Sequence, residues 1–234
     1  MILSTDNYEE IYRQMKREKE KVDYYLHKEK DKVFKKFNKD MKAPAVYYKT
    51  ITMQESKNKY LLYYYAMTYN EVRNNTCFFG SLLMLNDDDG NLLTVGLRRI
   101  HVTDENFNGY AYRLHSLYMF TGHFYSRYRE RFLKTDVPTL ELVATFSGRN
   151  MGYFNKLDYE NMILDKNKQK DGAIYGLDDG LSLAYEKVLD IDNCPVLVLK
   201  NKTFLSRDIL KENQEKLSPS QAEMRAQLLN HNYY

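Results

Sequence analysis

The residues most able to do chemistry in this chain fall together between Thr121 and Phe132, in the run Thr-Gly-His-Phe-Tyr-Ser-Arg-Tyr-Arg-Glu-Arg-Phe. Read as a helix, the run has neighbours three and four residues apart. His123, Arg127 and Arg131 then share one face, and Phe124, Tyr128 and Phe132 share the next. The first row presents an imidazole and two guanidiniums along a ridge, while the second can bury its rings. A first-turn position meets the positive end of the helix dipole, which suits a neutral imidazole beside an anion. The chemistry this arrangement fits is general-base attack on a phosphate ester, with the arginines holding the anion. The same spacing also describes a solvated helix face whose arginines pair with Glu130.

The elements needed to position that ridge can be read on either side of it. Thr121 is an N-cap, and Leu114 to Phe120 read as a buried strand or helix approach leading into it. Taken as a strand, the segment puts His115 on one face with Leu117 and Met119, which favours a structural role. Upstream, Asn7 to Met41 hold no Gly or Pro, and Ile11, Met15, Val22, Tyr25, Leu26, Val33 and Phe37 recur at a helical period. This predicts one long helix, capped by Thr5 or Asp6. Its narrow stripe packs on the domain or pairs with a second chain. Ala43-Pro44-Ala45 ends it. Strand-like runs follow at Val46–Met53, Tyr60–Tyr69, Cys77–Leu85 and Leu92–Val102. Gln54–Lys59 and Glu71–Thr76 read as polar connectors. The acidic run from Asn86 to Asn91 reads as a hairpin turn, because Leu85 and Gly96 occupy the positions where a calcium loop needs its first and last ligands. Thr103–Tyr110 is a polar loop. A short helix starts at Val137-Pro138 and runs to Phe146, and Tyr153–Lys170 reads as helical before becoming a charged loop. Strands return at Gly172–Leu177, Leu181–Leu189 and Pro195–Lys200, with a turn at Asp178-Asp179-Gly180. Ser206 caps a helix from Arg207 to about Leu217, and Ser218-Pro219-Ser220 ends it and caps a final helix ahead of a frayed tail from Asn230.

The expected fold class is α+β: a mainly antiparallel sheet with packed helices and a long N-terminal helix. Residues 1–42 form a helical extension and residues 43–234 a single domain. Net charge is only +3, so contact with nucleic acid requires a local patch. Residues 98–134, with seven Lys/Arg against three Asp/Glu, form the most basic segment. No apolar run is long enough to cross a membrane, and the start of the chain lacks the basic-then-apolar pattern of a signal peptide. The expected location is therefore cytoplasmic. Abundant Tyr, Lys and Asn with no Trp suggest an AT-rich genome, as in some gut bacteria or their phages. Cys77 and Cys194 form no CxxC pair and read as small core residues. Neither metal ligand spacing nor a phosphate-binding glycine loop is present, so no metal or cofactor is expected.

Two pieces together carry a resemblance: Thr-x-His-Phe-x-x-Arg-Tyr-x-Glu-Arg from Thr121 to Arg131, and Lys-x-x-Thr-Phe-Leu-Ser from Lys200 to Ser206, which follows a strand pair around Asp179-Gly180. Over about residues 112–210 the order resembles the barnase/EndoU/colicin/RelE-like RNase superfamily. There a helix with a His/Arg pattern precedes a small antiparallel sheet, and a late Thr or Ser joins the site. The resemblance implies metal-independent cleavage of RNA through 2′-hydroxyl attack on the adjacent phosphate. His123 would be general base or acid, and Arg127 and Arg131 would stabilise the phosphorane-like transition state. Thr203 would hydrogen-bond the phosphate, Lys200 would neutralise a neighbouring one, and Tyr128 would stack on a base. RNA is then the expected partner, with no membrane partner. The competing expectation is a non-enzymatic assembly or interaction protein, possible also as a phage structural component packaged in a virion, that forms a homo-oligomer through the N-terminal helix.

Overall fold

The computed structural model describes residues 7–87, 89–103, 111–150, 155–156 and 172–206. Its longest element is α1, Tyr8–Asp40, 33 residues or about 50 Å of helix at ~1.5 Å per residue. The cap is Asn7, whose side-chain oxygen accepts from the Glu10 N–H at 3.0 Å; Thr5 and Asp6 lie outside the described residues. Glu9 and Glu10 sit in the first turn, where negative charge is favoured. The helix stops at Met41, in the left-handed region, whose N–H returns to the Phe37 carbonyl. Ile11, Tyr12, Met15, Val22, Leu26, Val33 and Phe37 are all buried.

The stripe buries against a sheet. Strands β1 (Ala45–Thr52), β2 (Lys59–Ala66), β3 (Phe78–Asn86), β4 (Leu92–Thr103) and β5 (Ala111–Thr121) form an antiparallel meander. Strands β6 (Asn155–Lys156), β7 (Gly172–Leu177), β8 (Gly180–Ile191) and β9 (Cys194–Ser206) form a second antiparallel set. Beside β5 lies β9, running parallel to it, so the order is β1-β2-β3-β4-β5-β9-β8-β7-β6. This is the expected α+β architecture. Side chains alternate between two cores. Tyr60, Leu62, Tyr64, Leu83, Val95, Leu117, Met119, Val196 and Val198 face α1. Leu61, Tyr63, Leu82, Tyr118, Phe120, Leu199 and Phe204 face the opposite way. That second face is covered by α3 (Gly122–Tyr128) and α4 (Thr139–Asn150).

The long helix is thus one layer of the fold. A dimer built on its apolar stripe would first have to lift α1 off its own sheet. Among the described residues no helix is long and apolar enough to cross a membrane.

Local chemistry explains the turns. Asp87 closes the β3–β4 hairpin: its Oδ1 accepts from the N–H groups of Asp89 (3.1 Å) and Asn91 (2.7 Å), and Gly90 takes a positive φ of 78°. The run predicted as a connector at Glu71–Thr76 belongs instead to a six-residue helix, α2 (Tyr69–Asn74). Thr68 caps it by accepting from the Glu71 N–H, and the Glu71 carboxylate accepts from the Met67 N–H. Asn155–Lys156 pair as a short strand where a helix was expected. The remainder of the predicted Tyr153–Lys170 element, the Asp104–Tyr110 part of the predicted loop and the two predicted C-terminal helices lie outside the described residues.

Candidate functional site

The strand β5 delivers Thr121, whose hydroxyl oxygen accepts from the Phe124 N–H at 3.2 Å and starts α3 as expected. Phe124, Tyr125 and Tyr128 bury against Phe146 of α4, and His123 is exposed in the first turn. After Tyr128 the winding changes. Arg129–Leu133 is a π-helical turn, closed by the Lys134 N–H on the Arg129 carbonyl at 2.9 Å. Arg131 lies within this turn and does not join His123. Its Nη1 donates to the Phe204 carbonyl at 2.6 Å and braces the end of β9. Arg127 pairs with Glu130 at 2.7 Å on the surface, a contact contributing at most about 1 kcal/mol. The three-residue ridge is therefore not assembled.

The remaining predicted residues are placed elsewhere. Tyr128 has no exposed surface: its ring stacks on Phe132, meets Phe146 and Phe204 edge-on, and its hydroxyl donates to Asp179 Oδ2 at 2.6 Å. A base cannot stack on it without opening the core. Lys200 pairs with Met119, and so lies on the α1 face of the sheet. Past it, Asn201 pairs with Ala184 and Thr203 with Leu183, which leaves Lys202 as an extra residue in β9. That bulge puts Thr203 on the α1 face with Lys200 and turns Phe204 toward α3 and α4. The sheet separates Lys200 and Thr203 from His123.

His123 does have polar company. It lines an open cleft of about 520 Å³ with Asn91, Ser126, Arg129 and Thr139, floored by Leu92, Tyr125 and Leu142. The Ser126 hydroxyl donates to the Gly122 carbonyl at 3.0 Å. The Arg129 Nη2 donates to the Val137 carbonyl at 3.1 Å, and Asp136 approaches its Nη1 at 3.8 Å. Its Nε is buried with no hydrogen-bond partner. A buried donor without a partner is unfavourable. Arg129 is the cleft cation that ideal α-helical periodicity conceals, because the spacing from His123 is six.

Behind the cleft lies a buried polar cluster. Arg149 donates to both carboxylate oxygens of Asp179, through Nε at 2.7 Å and through Nη2. Asn150 donates to Asp179 Oδ2 at 2.8 Å and accepts from the Asp179 N–H at 3.0 Å. Arg149 also reaches the Tyr65 hydroxyl at 3.2 Å and lies over the Phe132 ring. Burial, then the adjacent Asp179 carboxylate, pushes the Tyr128 phenol well up, so it stays a donor. These contacts fasten α3, α4 and the β7–β8 turn together. In the sequence only the turn residues Asp178-Asp179-Gly180 marked the spot.

The fold and cleft together define an α+β domain with a basic, histidine-bearing cleft between two short helices. No protein-family model matches the chain, and no curated protein or solved structure matches it.

Proposed function

We propose that the His123 cleft binds RNA phosphodiesters and cleaves them without metal. One observation carries this reading: an exposed imidazole lines the same cleft as Arg129, whose buried Nε has no partner within the fold. A ring nitrogen of His123 takes the 2′-hydroxyl proton as the 2′-oxygen bonds to phosphorus. The 5′-oxygen bond then breaks, and solvent protonates the leaving oxygen. Arg129 takes the stabilising role first assigned to Arg131, and Arg127 flanks the cleft on the next helical row. The test is cleavage of mixed RNA in the presence of chelator. His123→Ala is expected to lower the rate by about 10²- to 10⁴-fold, with a large loss also in Arg129→Ala and a small one in Arg127→Ala. Absence of cleavage by folded wild type, or His123 and Arg129 variants that cleave at the wild-type rate, would overturn it.

A second reading, an interaction protein, draws on a different surface. Tyr24, 61% exposed, and its neighbour Tyr25 line a groove of about 800 Å³ between α1 and the β1–β2 turn. Exposed aromatic residues of this kind are enriched in protein interfaces. Solution mass of wild type against Tyr24→Ser distinguishes an assembly using that groove from a monomer.

A further inference from the structure

The face of α1 turned away from its sheet carries a charge pattern that is its own complement. Arg17, Glu20, Tyr24, Lys28 and Asp31 follow one another at helical spacings of three and four, so they form a single row. All five are exposed. About Tyr24 the signs run plus, minus, ring, plus, minus. Read from the other end, the row is minus, plus, ring, minus, plus. A second copy laid antiparallel on the first, with a two-fold axis at Tyr24, therefore faces every charge with its opposite. Arg17 meets Asp31 of the second copy and Glu20 meets its Lys28, each twice by symmetry. Tyr24 is also the midpoint of the helix Tyr8–Asp40, so the same axis overlaps the two helices along their whole length. A parallel pairing in register would set like charge against like.

The row is also free to pair. Elsewhere on α1, Arg13 reaches Glu9 and Asp192, Lys19 reaches Asp23, Lys21 reaches Glu55, and Lys32 and Lys49 reach Glu29. Arg17, Glu20 and Asp31 have no ion-pair partner among the described residues. Lys28 rests over the Tyr24 ring at 5.7 Å, and the Tyr25 ring meets Tyr24 edge-on. An exposed aromatic pair at the centre, with charges around it, matches the anatomy of a protein interface. The same register brings Arg13 to Lys35 and Lys16 to Lys32, but Arg13 is already held by Glu9 and Asp192, and Glu29 lies 3.9 Å from Lys32.

We propose that α1 pairs with α1 of a second copy of this chain, antiparallel and centred on Tyr24, while its apolar stripe stays on its own sheet. The inference rests on the interaction-protein reading and gives it a partner and a register. One helix on one helix makes a small, charged contact, so the dimer is transient and salt-sensitive.

Sedimentation equilibrium of the full chain tests this at low ionic strength and at about 1 M salt, where charges are screened beyond about 3 Å. The wild type should dimerise at low salt and dissociate at high salt. Arg17→Glu and Asp31→Arg should each weaken the dimer about tenfold or more, because either reversal turns two symmetric attractions into repulsions. Mixing these two variants should restore association. In the mixed dimer the two reversed positions face each other, and the native Asp31 of one chain faces the native Arg17 of the other. Reversals without effect, or variants that stay apart when mixed, would overturn the proposal. If the dimer is then still lost in Tyr24→Ser, the interaction reading survives without this register. A wild type that remains monomeric at hundreds of micromolar in low salt would overturn both.

Discussion

Under α1 the core consists of aliphatic and tyrosine side chains delivered by one long helix, with polar groups bonded at its margin. Under α3 and α4 the core is a cluster of rings, Phe120, Phe124, Tyr125, Tyr128, Phe146 and Phe204, set beside a buried Arg149–Asp179 pair. On the first face Glu18 accepts from Gln14, Ser56, Asn58 and Tyr60, tying the helix to the β1–β2 turn. Two of those donors, Gln14 and Ser56, are half-buried rather than buried, so water can replace part of what is lost. On the second face the carboxylate is almost wholly enclosed: the Asp179 side chain is 2% exposed. A regular helix on a regular strand pattern can hold its layer by area. Short helices of seven and twelve residues rely on directional bonds to fix their angle.

Removing the enclosed charge should therefore do the most damage. Asp179→Ala leaves the Arg149 guanidinium partly buried without its carboxylate, and chemical denaturation should report a loss of about 3–5 kcal/mol. A smaller loss, about 1–2 kcal/mol, is expected at pH 7 for Glu18→Gln, because the amide keeps one acceptor oxygen and sets a donor where two of the four donors found the other. That second difference depends on pH. Burial alone would raise the Glu18 carboxyl, but the bonds from Ser56, Tyr60, Asn58 and Gln14 outweigh it and hold the group below its usual range. A depressed folded-state value contributes stability above the ordinary carboxyl pKa, and that stability fades as pH falls through the folded value. Denaturation midpoints of wild type and Glu18→Gln should accordingly stay apart down to the ordinary carboxyl pKa and converge only as pH falls below it. The smallest effect belongs to Tyr64→Phe. The Tyr64 hydroxyl donates to the Leu26 carbonyl, which is already inside a helix, so its loss should cost about 1 kcal/mol in the same measurement.

The sequence made the first face readable and much of the second obscure, for physical reasons visible at particular residues. The α1 stripe and the alternation in β2, β3 and β9 repeat over many residues, and repetition survives the lack of tertiary context. The capping box Thr68-x-x-Glu71 was present and would have identified α2, but its six residues are too few to show a period. The cleft was half legible. Thr121 as cap and His123 in the first turn follow from local rules, whereas Arg129 stands six residues from His123, off its helical face, and lines the cleft only in the folded arrangement. Thr203 changes face because Lys202 is inserted opposite Leu183 and Ala184, a register fact that belongs to the pairing of two strands. Cys194 reads as a core residue and is half-buried. Its place beside Tyr12 and His115 depends on which strand lies next to β5.

That neighbour has a consequence for the order in which the molecule can form. The two antiparallel sets of strands meet in the sheet only where residues 115–120 lie beside residues 196–201, the one parallel pairing among the described strands. During synthesis α1 and the β1–β5 meander emerge first and can nucleate through short-range hairpin contacts. Until β9 leaves the ribosome, the open edge of β5 has no strand to cover it, and such an edge invites pairing with other chains. The seam between the two halves is therefore the slow, late step of folding and the moment of greatest exposure to aggregation.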